Sequence, residues 1–469
     1  MLNFYGNRVR HCDGVSRRSF LKAGAMGIGG MTLANLLQAE AATGRGSSQK
    51  AIINIHLDGG PPQMDLIDPK PDAPAEYRGE FGTIRTKIPG FHVTELMPRV
   101  ASIADKFIFL RSLVGAASLH DGFQCQSGFD AKELSNVGGR PAMGAVLNRL
   151  LGSPTDAAPV FVDLMQGRPL VRNSARPGFL GPAYSPFRPD ISEMFPRELE
   201  EGMKGELQNL GAGHQVSLSL GDGIDAGRLD SRLTLLQGLD SVQRSLDASG
   251  SMDAMDRFHQ QAYGILTSGR LAEALDLDKE DPKVLNRYTP AMQVSKLASY
   301  TSEGPLAARK LLLARRLVEA GVRCVSVSIS DFDTHSDNFP RIRQLGPIVD
   351  HALWALVTDL EERGMLDDVT IVAWGEFGRT PKVNAEGGRD HWPRVAMGML
   401  AGGGMQTGQV IGSTDRYAGE ATSRPVHYQD VIATLYHNMG IAPRSVTIND
   451  PTGRPQYLVD HGQVIREVI

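Results

Sequence analysis

Carboxylates and imidazoles gather in a few short segments of this sequence, each directly behind a run that reads as a β-strand. Asp58, Asp65 and Asp68 follow the apolar run 51–57, and Arg111, Ser118, His120 and Asp121 follow 107–110. Asp331, Asp333, His335 and Asp337 follow 322–329. Glu376 and Arg379 follow 369–374, and a loop then delivers Asp390-His391 just ahead of a further run at 395–400. Open α/β sheets bind ligands beyond the carboxyl ends of their strands, so these segments share one rim if the strands share one sheet. Carboxylates brought together there repel one another unless cations lie between them. Mixed His and carboxylate ligands suit Zn²⁺ or Mn²⁺, and all-oxygen sets suit Mg²⁺ or Ca²⁺. Two such ions about 4 Å apart clamp a phosphoryl or sulfuryl group and activate a hydroxyl or water.

Each residue also has a plainer reading. Asp58 before Gly59-Gly60 shapes a turn, Asp68-Pro69-Lys70-Pro71 is a rigid turn, and Asp333-Thr334-His335 fits a capped loop. Asp390-His391 fits a surface hydrogen bond, and His56, inside its strand, reads as a satisfied core histidine. The joint pattern favours a metal or catalytic site. No Gly-x-x-x-x-Gly-Lys-Ser/Thr loop, Gly-x-Gly-x-x-Gly turn behind the first strand, or Gly-x-Ser-x-Gly elbow occurs. Thiolate ligation is not expected, because Cys125 and Cys324 stand far apart in apolar surroundings.

The elements that must position these groups alternate. Strand runs at 51–57, 107–110, 160–162, 322–329 and 369–374 are separated by helical patterns, notably 306–320 ending at Gly321 and 348–360. The order predicts an α/β fold with a mostly parallel central sheet flanked by helices. From 190 to 302 the apolar spacing is helical throughout, which predicts a helical insertion or cap between core parts at 50–189 and 303–469. Residues 1–41 read as a twin-arginine signal peptide: Ser16-Arg17-Arg18-Ser19-Phe20-Leu21-Lys22, a short Gly-rich apolar stretch, then Ala39-Glu40-Ala41-Ala42. The expected route is export through the twin-arginine translocase to the periplasm or beyond, with no transmembrane segment in the mature chain. The 469 residues carry a net charge of −4 and are 41% hydrophobic, which excludes a disordered chain and makes nucleic acid an unexpected partner.

Several motifs together resemble one secreted bacterial family, the "domain of unknown function" group number 1501. They are the twin-arginine leader, Gly59-Gly60-Pro61-Pro62-Gln63-Met64-Asp65-Leu66-Ile67-Asp68-Pro69-Lys70-Pro71, Asp333-Thr334-His335, Glu376-Phe377-Gly378-Arg379-Thr380-Pro381, Gly388-Arg389-Asp390-His391-Trp392 and Gly412-Ser413-Thr414-Asp415. That group is similar to the alkaline phosphatase/sulfatase superfamily, which implies an alkaline phosphatase-like sheet with two divalent metal ions (Zn, Mn, Ca or Mg) and a nucleophile. By this resemblance Asp58 or Asp65 is the ligand after the first strand, and Asp333 and His335 are later ligands. Glu376 and Asp390-His391 then stand where the superfamily has its strand-end Asp-His pair. Ser127-Gly128 resembles the end of the sulfatase signature helix, which places Ser118 near the nucleophile position. The Cys/Ser-x-Pro/Ala-x-Arg spacing needed for formylglycine is absent, since Leu119-His120-Asp121-Gly122 follows Ser118. The expected activity is a metal-dependent hydrolysis of phosphate or sulfate esters, small or polysaccharide. Ser118 or a bound water attacks, while His120 and Arg379 assist. The alternative is a non-catalytic glycan- or envelope-binding protein on a degenerate scaffold.

Overall fold

The computed structural model describes residues 50–134, 138–153, 156–166, 171, 173–195, 268–291 and 303–469. The signal-peptide reading of 1–41 lies outside the described residues, as does most of the 190–302 segment. Ten strands concern the site: β1 (Ala51–Leu57), β2 (Phe107–Val114), β3 (Phe161–Leu164), β4 (Cys324–Ile329), β5 (Val369–Trp374), β6 (Gly378–Arg379), β7 (His391–Trp392), β8 (Ala396–Gly402), β9 (Gln409–Ile411) and β10 (Val426–His427). The principal helices are α1 (Met143–Leu151), α2 (Arg270–Leu275), α3 (Pro282–Arg287), α4 (Arg309–Glu319), α5 (Asn338–Glu362) and α6 (Tyr428–Asn438).

The central sheet runs β9-β2-β8-β5-β1-β4-β3, and β10 also pairs with β2. Only β8 runs against its neighbours, so the sheet is mostly parallel, as the alternation predicts. The return of β8 beside β5 keeps the 376–391 segment at the same rim where β1 and β4 end. β1 is buried along its whole length, as a parallel strand covered on both faces must be. Ile53, Ile55 and Leu57 face one apolar layer with residues of α4 and α5, whereas Ile52 faces the other with residues of α1 and α6.

Two helices differ from their sequence patterns in instructive ways. α5 begins at Asn338, well ahead of the expected 348, and holds Pro347 inside it. Pro reads as a boundary in sequence, but here the turn carrying it is fixed by packing: a Cβ on Gly346 would lie 3.0 Å from Leu96. The pattern at 306–320 splits into a 3₁₀ turn (Pro305–Ala308) and α4. Of the 190–302 segment, α2 and α3 are described, and buried charge ties this part to the core. Arg315 pairs with Glu280 at 2.6 Å and Asp359 at 2.9 Å, and the Tyr288 hydroxyl donates to Asp359 at 2.9 Å. No helix of the described residues is long and apolar enough to cross a membrane.

Candidate metal centre

The turn behind β1 brings three segments within hydrogen-bond reach. Gly59 has φ +104°, its N–H donates to Glu376 Oε1 at 2.9 Å, and a Cβ there would lie 2.5 Å from the Asp333 backbone nitrogen. Glycine is therefore required for the β1, β4 and β5 loops to meet. Arg379 and His391 are Cα partners across the short β6–β7 ribbon, which fixes the arginine next to the imidazole.

Asp333, His335 and His391 form a tight triangle. His335 Nε2 lies 3.1 Å from Asp333 Oδ1 and 3.0 Å from His391 Nε2, and His391 Nε2 lies 3.4 Å from the same Oδ1. Each imidazole is held by its other nitrogen: His335 Nδ1 donates to Asp390 at 2.7 Å, and His391 Nδ1 donates to the Ser118 carbonyl at 3.1 Å. With those N–H groups committed, both Nε2 lone pairs face the carboxylate. Three acceptors aimed at one point repel unless a proton or cation sits between them. The edges also fit a cation: ligands 2.0–2.1 Å from a tetrahedral zinc are roughly 3.4 Å apart.

His120 joins this triangle to a deeper cluster. Its Nε2 lies 3.3 Å from Asp333 Oδ2 and its Nδ1 3.1 Å from Glu376 Oε1. Burial disfavours the charged ring, yet the Asp333 and Glu376 carboxylates outweigh it and push the His120 pKa up to about 9. Burial also opposes ionisation of Asp333 and Glu376. Hydrogen bonds from His120 to both, and from Arg379 to Asp333, nevertheless hold each below the ordinary carboxylate value. Asp390 is likewise lowered, chiefly by its bond to His335. Beneath them His56, Asp58 and Glu376 offer ligand atoms within 4.8 Å of one another, all buried. Burial lowers the His56 pKa, so the ring is neutral beside an ionised Glu376. Neither His56 nitrogen nor Glu376 Oε2 has a hydrogen-bond partner, although His56 Nε2 and that oxygen are 3.4 Å apart. Such unmatched buried polar atoms are costly in a native interior, and a cation between His56 Nε2 and Glu376 Oε2 would match those two.

The structure thus brings Asp58, His120, Asp333, His335, Glu376, Asp390 and His391 to one rim. It leaves Asp65 elsewhere: that carboxylate is fully buried and bound by Arg389 at 2.8 Å and Asn338 at 2.8 Å, which removes it from the ligand set. Arg379 is not exposed to a substrate oxyanion either. Its guanidinium donates to the Gly59, Gly60 and Arg389 carbonyls and pairs with Asp333 at 2.6 Å, so it orients Asp333. Ser118 meets the cluster through its carbonyl, and among the described residues its hydroxyl makes no hydrogen bond. Sequence reasoning missed His56. The available signal was register: Asn54 pairs with Ser326 and His56 with Ser328, a polar track on one face of two otherwise apolar strands, leading to the rim.

Among solved structures, the chain is similar to the PsFucS1 sulfatase from Pseudoalteromonas sp., with 14% identity and a TM-score of 0.37, over 87% of this chain and 70% of that one. It is also similar to the phosphonate monoester hydrolase SpPMH from Silicibacter pomeroyi, with 12% identity and a TM-score of 0.33, over 89% and 75% of the two chains. Comparison with curated proteins yields no match. The family model described as "Protein of unknown function (DUF1501)" matches residues 49–469, and the chain belongs to that family.

Proposed function

We propose that the protein is an exported, metal-dependent hydrolase of phosphate or sulfate esters. The observation that carries this reading is the Asp333–His335–His391 triangle, with both imidazoles pinned by their outer nitrogens. In this reading Asp333, His335 and His391 hold the ion while His120, the fourth member of that group, stays free as an acid, which leaves the one open position of catalytic zinc sites. His56, Asp58 and Glu376 would hold a second ion. When bound, such ions supply Lewis-acid polarisation of the ester and neutralise the charge that develops on it.

The chain's own residues supply the rest. Arg379 and the Gly59 turn hold Asp333 and Glu376 in place. His120 Nε2 lies 3.3 Å from Asp333 Oδ2 and its ring is partly open to solvent, so it is the group positioned to protonate the departing alcohol oxygen. Water is the nucleophile in this reading, because it is the Ser118 carbonyl that engages the cluster. Net, the P–O or S–O ester bond breaks, the water oxygen adds to phosphorus or sulfur, and the alcohol leaves with a proton. The unengaged Ser118 hydroxyl also supports a second reading, in which the scaffold holds metal and binds a glycan or envelope component without turnover.

Mass spectrometry of metals in folded protein, alongside His335→Ala, tests the reading. One to two ions per chain are expected, fewer in the variant, with turnover of at least one phosphate or sulfate ester. No metal in either protein, after chelator-free purification and metal add-back, overturns it. Bound metal with no turnover on an ester panel selects the second reading. Ser118→Ala should keep activity within a few-fold; a loss of roughly 10³ or more would make serine the nucleophile.

A further inference from the structure

We propose that the cleft beside Asp390 is a sugar-ring subsite, placing a glycan so that its ester reaches the metal centre. This rests on the hydrolase reading for its purpose, though not for its geometry. A cavity of about 640 Å³ opens between Tyr77, Thr380–Ala385, Trp392 and Tyr417, and a second of about 580 Å³ continues past Tyr417 over Pro69–Pro74. The first ends at Asp390, whose carboxylate bonds His335, so one side chain separates the cleft from the Asp333 triangle.

The aromatic wall is rigid before any ligand arrives. Tyr77 and Tyr417 stack with ring centroids 4.3 Å apart and planes at 26°. The Trp392 indole N–H donates to the Gly419 carbonyl at 2.6 Å, which locks that ring. Arg416, 4.5 Å from the Tyr417 centroid, covers the face that Tyr77 does not, and Arg394 lies 5.2 Å over one face of Trp392, so the ring faces left for a ligand belong to Tyr77 and Trp392. Four cationic and four acidic side chains line the two cavities, so the cleft presents donors and acceptors in balance.

That balance decides the ligand class. An aryl ester would bury an apolar ring among charged groups that lose water without gaining partners. A pyranose instead carries a C–H face for the aromatic wall and a rim of hydroxyls, each both donor and acceptor. The even charge suits a ring whose only strong charge, the ester, lies beyond Asp390 at the metal centre. Two cavities sharing Tyr417 give room for more than one ring.

The test is binding, read by saturation-transfer NMR and calorimetry on the full chain. The probes are 6-O-sulfated and unsulfated hexasaccharides of glucose and galactose, with p-nitrophenyl sulfate as the aryl comparator. Trp392→Ala and Tyr77→Ala should weaken binding of at least one hexasaccharide tenfold or more, with saturation transferred to sugar C–H protons. Trp392→Phe and Tyr77→Phe keep the ring faces and guard against misfolding; they should retain most of the affinity. Binding of no hexasaccharide overturns the proposal, as does equal binding by wild type and both alanine variants, or cleft-dependent binding of the aryl ester alone. Metal content measured on the same samples separates the two claims. Metal present with no cleft-dependent sugar binding sinks the subsite and leaves the hydrolase reading. Cleft-dependent sugar binding without metal does the reverse.

Discussion

Two aspartate–arginine pairs, Asp65–Arg389 and Asp333–Arg379, draw their arginines from the same 376–391 segment, and they do opposite things. Asp65 and Arg389 are both fully buried, and the pair is bidentate, with Nε–Oδ2 at 2.8 Å and Nη2–Oδ1 at 3.1 Å. Asn338 adds a third donor to Asp65, and Arg389 spends its remaining N–H groups on the Tyr77, Thr380 and Pro381 carbonyls. Asp333 also holds a buried arginine, Arg379, but its other neighbours are His120, His335 and His391. Amide and guanidinium donors are permanent, so Asp65 is saturated and inert. Imidazoles can turn acceptor and hand their place to a cation, so Asp333 is available for chemistry. What separates scaffold from site is the kind of partner, since both are aspartates behind a strand.

The largest expected effect falls on the scaffold. Asp65→Ala leaves the Arg389 charge uncompensated in a dry interior, at a cost of about 3–5 kcal/mol. Chemical denaturation should show that loss, while the fraction that stays folded keeps its metal. Metal loss at unchanged stability would break the comparison. Asp333→Ala should behave in the opposite way. Its side chain is 14% exposed, and the Glu376 and Asp390 carboxylates still act on Arg379, so the fold should lose only about 1–2 kcal/mol. Metal content should fall to background. An Asp333 variant that keeps its ions would remove the triangle as a metal site.

The comparison also explains what was legible in the sequence. Strand ends predicted where carboxylates and imidazoles would gather, because a parallel sheet places all its carboxyl ends on one edge. The run directly behind Asp390-His391 forms β8, and its antiparallel return beside β5 leaves both residues at that edge. Which aspartate is saturated did not follow. Asp65 gains its arginine from 324 residues away and its amide from 273 away, partners that no local pattern announces. Arg379 shows the same limit: its charge suggested contact with substrate, but four backbone and side-chain acceptors from remote loops enclose it. His56 was hidden for a different reason. A histidine inside an apolar strand is normally satisfied by a neighbour, and only the cross-strand register shows that this one lies in a polar track beside an ionised glutamate.

A smaller effect is expected at Asp390. It touches the triangle only by orienting His335, so it acts as an outer partner of a ligand. Asp390→Ala should weaken metal binding 10–100-fold, the usual consequence of losing such a partner, with little change in stability because the side chain is half exposed. Chelator competition measures it. An effect as complete as that of Asp333→Ala would instead make Asp390 a direct ligand.

The smallest effect extends the comparison to buried carboxylates with too few donors. Asp350 on α5 accepts the N–H groups of Arg99 and Val100 at 3.0 and 2.7 Å, capping the short helix Pro98–Ser102, but among the described residues no cation forms an ion pair with it. Burial outweighs those bonds and pushes its pKa from 3.8 up to about 7. Asp163 has Arg188 at 2.8 Å, yet burial still pushes it up to about 6. For both, the folded chain retains a proton that the unfolded chain releases above its ordinary pKa of 3.8, so stability is greatest below that value. It falls as pH rises, for Asp163 until about 6 and for Asp350 until about 7. Between pH 6 and 7 the remaining slope belongs mainly to Asp350, because Asp163 has already ionised. In the metal-free chain His120 contributes in a separate window, its stabilisation present below 6.5 and lost as pH rises through about 9. Urea denaturation at stepped pH should therefore show stability declining from pH 5 to 7, by at most roughly 1.4 kcal/mol per unit for each group. Asp350→Asn should flatten the part above pH 6 while shifting the whole curve for its altered cap. The slope is the informative quantity: an unchanged slope in Asp350→Asn would mean that the two backbone N–H groups saturate Asp350 as fully as Arg389 saturates Asp65.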